Sequence, residues 1–267
     1  LHIYKLRYKL SLEHRLTEAK LRFFTDISHE LRTPLTLIEG PLSEVLADEK
    51  LPEADREYLT VVQTNAHRML NLINQILDFR KIQNEKMRLL VEKLNVRESL
   101  EAIMENFENI ARQHRIDFRL EMGADDVYVW ADRDKFEKIF VNIISNAFKY
   151  TPPGKTITVR VKSDDENVVV AVQDQGVGIQ PSKVAMLFQR FDTILQDNIY
   201  QQSTGIGLSL VKQLVDLHHA RIDVQSEEGV GSTFEVSFPV GKTHLEDDER
   251  VEFLMNDDIG VDGRGRQ

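Results

Sequence analysis

The spacing of apolar positions changes partway along this chain, and the change marks a shift from long helices to mixed elements. Leu16, Ala19, Phe23, Ile27, Leu31, Leu35, Ile38, Leu42 and Val45 recur at steps of three or four, the spacing that lines one face of an α-helix. Leu51, Pro52 and Glu53 interrupt the stripe. Pro52 stands where a new helix can begin, because the first helical turn does not need its missing N–H. A second stripe runs through Leu59, Val62, Ala66, Met69, Ile73 and Ile76, alternating steps of three and four as a coiled seam does. Two long helices with a short link predict an antiparallel hairpin. One hairpin cannot cover both stripes, so the pattern predicts a four-helix bundle completed by a second copy of the chain, a homodimer.

After about residue 84 the texture becomes mixed. Asn95 is placed to cap a helix whose core face is Leu100, Ile103, Phe107 and Ile110. The alternations Ile116-Phe118-Leu120 and Val127-Val129 predict strands. A helix from Asp132 through Tyr150 would turn Phe136, Ile139, Phe140, Ile143, Ile144 and Ala147 inward. Strands are expected at Ile157–Val161 and Val168–Val172, turned by Asp165-Glu166-Asn167. Residues 176–207 show little periodicity over a length greater than an idle connection usually has. A helix from Leu208 to His218 and a hairpin, Ile222–Val224 with Phe234–Phe238, around Gly229 and Gly231 close the pattern. The expected fold class is α+β: a helical hairpin forming a dimeric four-helix bundle, then an α/β sandwich with helices on one face of a mixed sheet. Its expected divisions are a basic linker over 1–15, the hairpin over 16–84, the sandwich over 88–241 and an acidic flexible tail or linker over 242–267.

Composition narrows the function classes. A hydrophobic fraction of 41% and a charged fraction of 29% are those of globular protein. The net charge of −10 opposes direct nucleic-acid contact, which needs a basic footprint. With no cysteine in the chain, disulfides and thiolate zinc sites are excluded. No apolar run reaches the ~20 residues of a membrane span. The basic opening (Lys5, Arg7, Lys9, Arg15, Lys20 and Arg22) suits the cytoplasmic side of a membrane helix, or simply a solvated helix face. The start at Leu1, without Met, suggests a piece of a longer protein, with contact to a membrane only through a segment upstream.

Four clusters carry candidate chemistry. His29 lies two residues from both Ile27 and Leu31, about half a turn from the apolar stripe. It therefore points to solvent, where a histidine is more often idle than not. Pro34 inside the same helix costs a hydrogen bond and bends the chain, which packing alone does not explain. A neutral imidazole nitrogen can accept a phosphoryl group near pH 7, and Glu30 can take the proton from the ring or hold its tautomer. Asn142, Asn146 and Lys149 share one helix face; solvent exposure explains such a set as readily as a phosphate and Mg²⁺ site does. Asp174-Gln175-Gly176-Val177-Gly178-Ile179 follows a strand, and Ser203-Thr204-Gly205-Ile206-Gly207-Leu208 opens a helix where backbone N–H groups can meet an anion. Neither is a dinucleotide fingerprint or a Walker A loop, and each glycine pair alone is more often a turn.

Their order is specific. Ser28-His29-Glu30-Leu31-Arg32-Thr33-Pro34-Leu35 resembles the H box of sensor histidine kinases. Asn142–Thr151 resembles their N box, Asp174–Gly178 the first glycine box, Leu187–Phe191 the F box and Gly205–Leu208 the second glycine box, so the resemblance spans about residues 15–240. It implies a dimerisation and histidine-phosphotransfer hairpin followed by an ATP-binding domain of the gyrase and histidine kinase type. By that resemblance His29 is the phospho-acceptor, Glu30 its acid–base partner and Thr33 the position linked to phosphatase activity toward the partner regulator. Asn146 is the expected Mg²⁺ ligand, with Asn142 beside it and Lys149 and Tyr150 on ATP. Asp174 is expected to read the adenine amine, while Gly176, Gly178, Ile179, Phe191, Thr204, Gly205, Ile206, Gly207 and Leu208 shape the nucleotide site and its lid. Related ATPases carry a water-activating glutamate where Asn142 stands, and an asparagine favours transfer to His29 over hydrolysis. Asp192-Thr193 depart from the aromatic and arginine that often follow the F box, so a lid contact to the terminal phosphate is either missing or supplied elsewhere, Arg190 being one candidate. The implied partner is a response-regulator receiver domain, separate or fused downstream as in hybrid kinases. The competing expectations are a dimeric scaffold without turnover and a gyrase-type ATP hydrolase.

Overall fold

The computed structural model describes residues 27, 28, 30–48, 50–83, 86–188 and 206–254. The chain divides near Arg88 into two compact units.

The first unit contains a helix over residues 30–47 (α1) and α2, Glu53–Gln83. α1 runs through Pro34, and Asp48 turns the chain by accepting from the backbone N–H of Lys50. The link is held by Arg56, whose guanidinium donates to the carbonyls of Leu46 (2.6 Å) and Asp48 (2.8 Å). Leu35, Ala66, Ile73 and Leu77 form the buried seam, with Leu70 against it. Polar pairs flank the seam: Arg32 with Asn74, Ser43 with Gln63, and Glu39 with His67. Only part of each stripe is covered. Leu31, Ile38 and Val45 on α1, and Val62 and Met69 on α2, remain exposed although they continue the rows of the buried residues.

The second unit holds β1 (Leu89–Asn95), α3 (Val96–Glu105), α4 (Glu108–His114), β2 (Asp117–Glu121), β3 (Tyr128–Asp132) and α5 (Arg133–Tyr150). There follow β4 (Thr156–Ser163), β5 (Asn167–Asp174), the single turn α6 (Pro181–Val184), α7 (Ile206–Leu217), β6 (Arg221–Glu227), β7 (Gly231–Pro239) and β8 (Val251–Phe253). Five strands make a mixed sheet in the order β2-β4-β5-β7-β6, with β2 and β4 parallel and the rest antiparallel. A second sheet, β3-β1-β8, is separate, where one sheet was expected. α5 packs against α3 and β5. Its inward face is the one expected, from Phe136 to Ala147, and Phe136 and Phe140 meet Phe238 of β7 at 5.6 and 6.5 Å between ring centroids.

Three local expectations are corrected. The helix capped by Asn95 stops at Glu105, and α4 restarts one step on with a new phase, so Ala111 is buried while Ile110 faces solvent. Phe107, between them, stacks on Phe148 and meets Phe118 edge-on. The β4–β5 turn is organised by Asp164, whose carboxylate accepts from the backbone of Glu166 and Asn167. The segment after Lys242, expected to be a flexible tail, is built into the domain as far as Leu254. Leu245 is fully buried, and β8 adds to β1 in parallel. Lys242 lies over the rings of Trp130 and Phe253, which pack edge to face. Residues 255–267, like the expected linker over 1–15, lie outside the described residues.

One core residue had no sequence signal. His218, at the end of α7, is fully buried. Its Nδ1 donates to the Leu214 carbonyl (2.7 Å), and its Nε2 accepts from the backbone N–H of Asp132 (3.1 Å). Asp132 in turn caps α5 through Lys135 N and accepts from Leu90 N. The far ends of α5 and α7 are thereby tied to β1 and β3.

Candidate functional site

The near end of α5 is the foundation of the site. Because its apolar residues repeat every three or four positions, Asn142, Asn146 and Lys149 are left on the opposite side. The helix stops at Thr151, whose extended φ and ψ suit a residue before proline. Tyr150 is therefore the last helical residue, and its carbonyl is free of the helix ladder. It accepts from Val177 N at 3.2 Å, which docks the glycine loop after β5 onto the end of α5.

That loop approaches so closely that side chains are excluded. A Cβ at Gly176 would stand 2.6 Å from both the Tyr150 carbonyl oxygen and Asp174 Oδ1. At Gly178, where φ is +68°, it would stand 2.0 Å from the Glu227 carbonyl oxygen. Gln175 fixes the loop from the other side by accepting from Thr156 N (3.1 Å). Asp174, the last residue of β5, is buried. Burial pushes its carboxyl above its ordinary value, opposed by hydrogen bonds from the backbone N–H groups of Gly176 and Ser232.

The start of α7 closes the third side. A Cβ at Gly207 would lie 2.9 Å from Asn142 Oδ1, so the first turn of α7 meets the Asn142 side of α5 closely enough that a side chain there would displace the Asn142 amide. The Asn142 amide nitrogen donates back to the Lys138 carbonyl (2.7 Å), leaving its oxygen turned toward α7. Lys149 is exposed and lies over the Tyr150 ring. One face of α5 thus carries two amides and an ammonium, and the glycine loop that follows the buried Asp174 carboxylate docks on the end of the same helix. Among the described residues no group of three or more histidines, cysteines, aspartates or glutamates is placed to hold a metal. The amide oxygens on α5 are hard ligands of the kind Mg²⁺ takes when phosphates and water complete its shell, so the site fits an ion that arrives with a nucleotide.

Residues 131–242 match the family described as histidine kinase-, DNA gyrase B- and HSP90-like ATPases. Residues 19–85 match the His kinase A phospho-acceptor domain. The chain belongs to the sensor histidine kinases. It is 39% identical over 267 residues to histidine kinase P4 of Formosa agariphila, covering 96% of this chain and 20% of that protein. It is 32% identical over 231 residues to hybrid signal transduction histidine kinase D of Dictyostelium discoideum, covering 84% of this chain and 15% of that protein. The chain therefore spans a fifth or less of the length of these two relatives. Among solved structures, full-length ShkA in complex with AMPPNP superposes with a TM-score of 0.66 at 24% identity, covering 82% of this chain and 45% of that one, a likeness of fold.

The histidine kinase has its candidate residues distributed as follows. Asn142, Asn146, Lys149 and Tyr150 lie on α5; Asp174, Gly176, Gly178 and Ile179 lie at the end of β5 and on the glycine loop, which docks on α5 at Tyr150; Gly207 and Leu208 lie on α7, which approaches α5 at Asn142. Ile206 begins α7. Glu30 and Thr33 are exposed on α1. His29, Arg190, Phe191, Thr204 and Gly205 lie outside the described residues. Sequence reasoning gave no role to Gln175, although it lies within the glycine-loop motif, and passed over Ser226 and Ser232, two serines that pair across the β6–β7 hairpin. No helix among the described residues is long and apolar enough to cross a membrane.

Proposed function

We propose that this transmitter binds Mg·ATP at the junction of α5, the Asp174–Ile179 loop and α7, and transfers the γ-phosphoryl group to His29 of the hairpin. The observation that supports it most is the meeting of Tyr150, Asp174, Gly176, Gly207 and Asn142 at distances a side chain would obstruct. Asp174, buried and acceptor-rich, suits the exocyclic amine of adenine. Lys149 suits phosphate charge. Asn146 offers a neutral oxygen to Mg²⁺, which when bound neutralises charge on the phosphates. The imidazole nitrogen of His29 attacks the γ-phosphorus as the bond to the ADP oxygen breaks, ADP leaves, and Glu30 receives the ring proton. Asn142, lacking a carboxylate, does not activate water, which favours transfer over hydrolysis.

The phosphoryl group then passes to an aspartate of a response-regulator receiver domain, separate or fused downstream; the hybrid relative is consistent with the fused arrangement. A second copy of the chain covers Leu31, Ile38, Val45, Val62 and Met69, which one hairpin leaves exposed. Thr33, one turn beyond His29, serves dephosphorylation of the regulator. An upstream segment anchors the kinase to a membrane, with the catalytic portion in the cytoplasm.

The Mg²⁺ assignment has a direct test. Calorimetric titration with ATP should show tighter binding when Mg²⁺ is present, and Asn146→Ala should lose that gain, a difference of at least about tenfold. Equal gains in wild type and variant would remove Asn146 from the metal's shell.

A further inference from the structure

The hydroxyl of Ser226 lies where three segments cross. It accepts from the backbone N–H of Ile179 (2.8 Å), donates to the Gly231 carbonyl (3.0 Å) and is 2.9 Å from the Ser232 hydroxyl. One proton arrangement satisfies all three contacts: Ser226 accepts from Ile179 N–H and Ser232 O–H, and its own proton goes to Gly231. Around this point the glycine loop is fastened to the β6–β7 turn at one residue after another. Gly229 N donates to the Val177 carbonyl (2.8 Å), Gly178 presses on the Glu227 backbone, and Gln180 donates to Glu228 (3.1 Å). Gly231 closes on the carbonyl of Asp174 itself, where a Cβ would stand 2.0 Å away.

We propose that Ser226 is a positioning residue for nucleotide binding: its hydroxyl holds the Asp174–Ile179 loop against the β6–β7 turn in the conformation that receives the base. The proposal rests on the reading of Asp174 as the base-recognising group. Ser226 need not touch the nucleotide. It sits on β6, behind the loop, and joins the far end of the loop (Ile179) to the residues beside Asp174 (Gly231 and Ser232). Without the hydroxyl the Ile179 N–H loses its acceptor in a partly buried position. The loop then samples other conformations, and nucleotide binding must order it again.

The test uses the whole chain and ADP as the probe, with melting temperature measured beside affinity. Ser226→Ala should weaken ADP about tenfold, raise the KM for ATP by a similar factor and leave kcat at saturating ATP within about twofold. Ser226→Thr, which keeps the hydroxyl, should restore affinity. Ser232→Ala in the Ser226→Ala background should add little, because the two hydroxyls share one bond. Ile222→Val, a core change on the same strand, should lower the melting temperature without moving affinity. Asp174→Asn is measured in parallel. If Asp174→Asn loses ADP while Ser226→Ala binds as wild type, the positioning role is wrong and the base reading stands. If Asp174→Asn binds ADP normally, the base reading falls and the proposal with it. An affinity loss in Ile222→Val equal to that in Ser226→Ala would reduce Ser226 to general stability and overturn the proposal.

Discussion

Gly231→Ala is expected to lower the melting temperature of the ATP-binding unit by about 10 °C or more and to abolish ADP binding. Gly231 opens β7 with a φ of +143°, a conformation residues with side chains rarely adopt. The added methyl would also stand 2.0 Å from the carbonyl oxygen of Asp174 and 3.1 Å from Gln175 Cα. Both atoms are backbone, so no side chain can swing aside. β5 and β7 are paired along their whole length and end with Asp174 opposite Ser232, so relief requires the end of the ladder to open. The cost should be about 3–5 kcal/mol, and the strand end displaced is the one that carries Asp174. Gly229→Ala in the same turn separates the two causes. Its φ is +81° but nothing lies within 4 Å of the added carbon, so it should cost only about 1 kcal/mol. Thermal melting and ADP titration of the two variants check this. Equal losses would mean that backbone conformation, and not close approach to Asp174, constrains the turn.

Stability should also fall as pH drops from about 6.5 to about 4, through His218. Burial is the main reason its pKa is pushed down to about 4; hydrogen bonding to Leu214 and the charge of Asp132 pull the other way, while Lys135 and His244 add to the depression. The geometry agrees, since Nε2 already accepts from Asp132 N–H and a proton there would face another donor. The unfolded chain binds a proton near the ordinary histidine value of ~6.5 and the folded chain does not until about 4. Between those values acid favours unfolding, and below about 4 this contribution levels off, having removed about 3 kcal/mol. His218→Gln should be less stable at pH 7, and its difference from wild type should shrink as pH falls through that window. Urea unfolding of both proteins at several pH values is the check, the difference cancelling the other titrating groups. A constant difference would mean that His218 does not carry the acid sensitivity.

What could be read from the residues and what could not divide along physical lines. α5 was legible because its apolar residues keep helical spacing from Phe136 to Phe148, more than three turns, β4 because its apolar residues alternate with polar ones, and β5 because it is a short valine-rich run. β8 was not, since its three residues lie in an acidic stretch and become a strand only by pairing with β1, remote in sequence. β1 itself follows a long helix, and its partners are β3 and β8. The half-covered stripes of the hairpin were foreseen, because neither helix has enough surface to bury both. At the site, residue types were visible but closeness was not. Gly176, Gly178, Gly207 and Gly231 stand where a Cβ would collide, whereas Gly154 and Gly229 have open space; all six look alike in sequence. Ser226 was hidden for the same reason, as a serine in a strand usually carries no chemistry.

The central claim is that the γ-phosphoryl group of ATP goes to His29. The measurement is incubation of the whole chain with Mg²⁺ and γ-labelled ATP, wild type beside His29→Ala and Asn146→Ala. The account predicts acid-labile, alkali-stable label on wild type and on neither variant. Label of the same stability on His29→Ala would place the acceptor elsewhere and contradict the account.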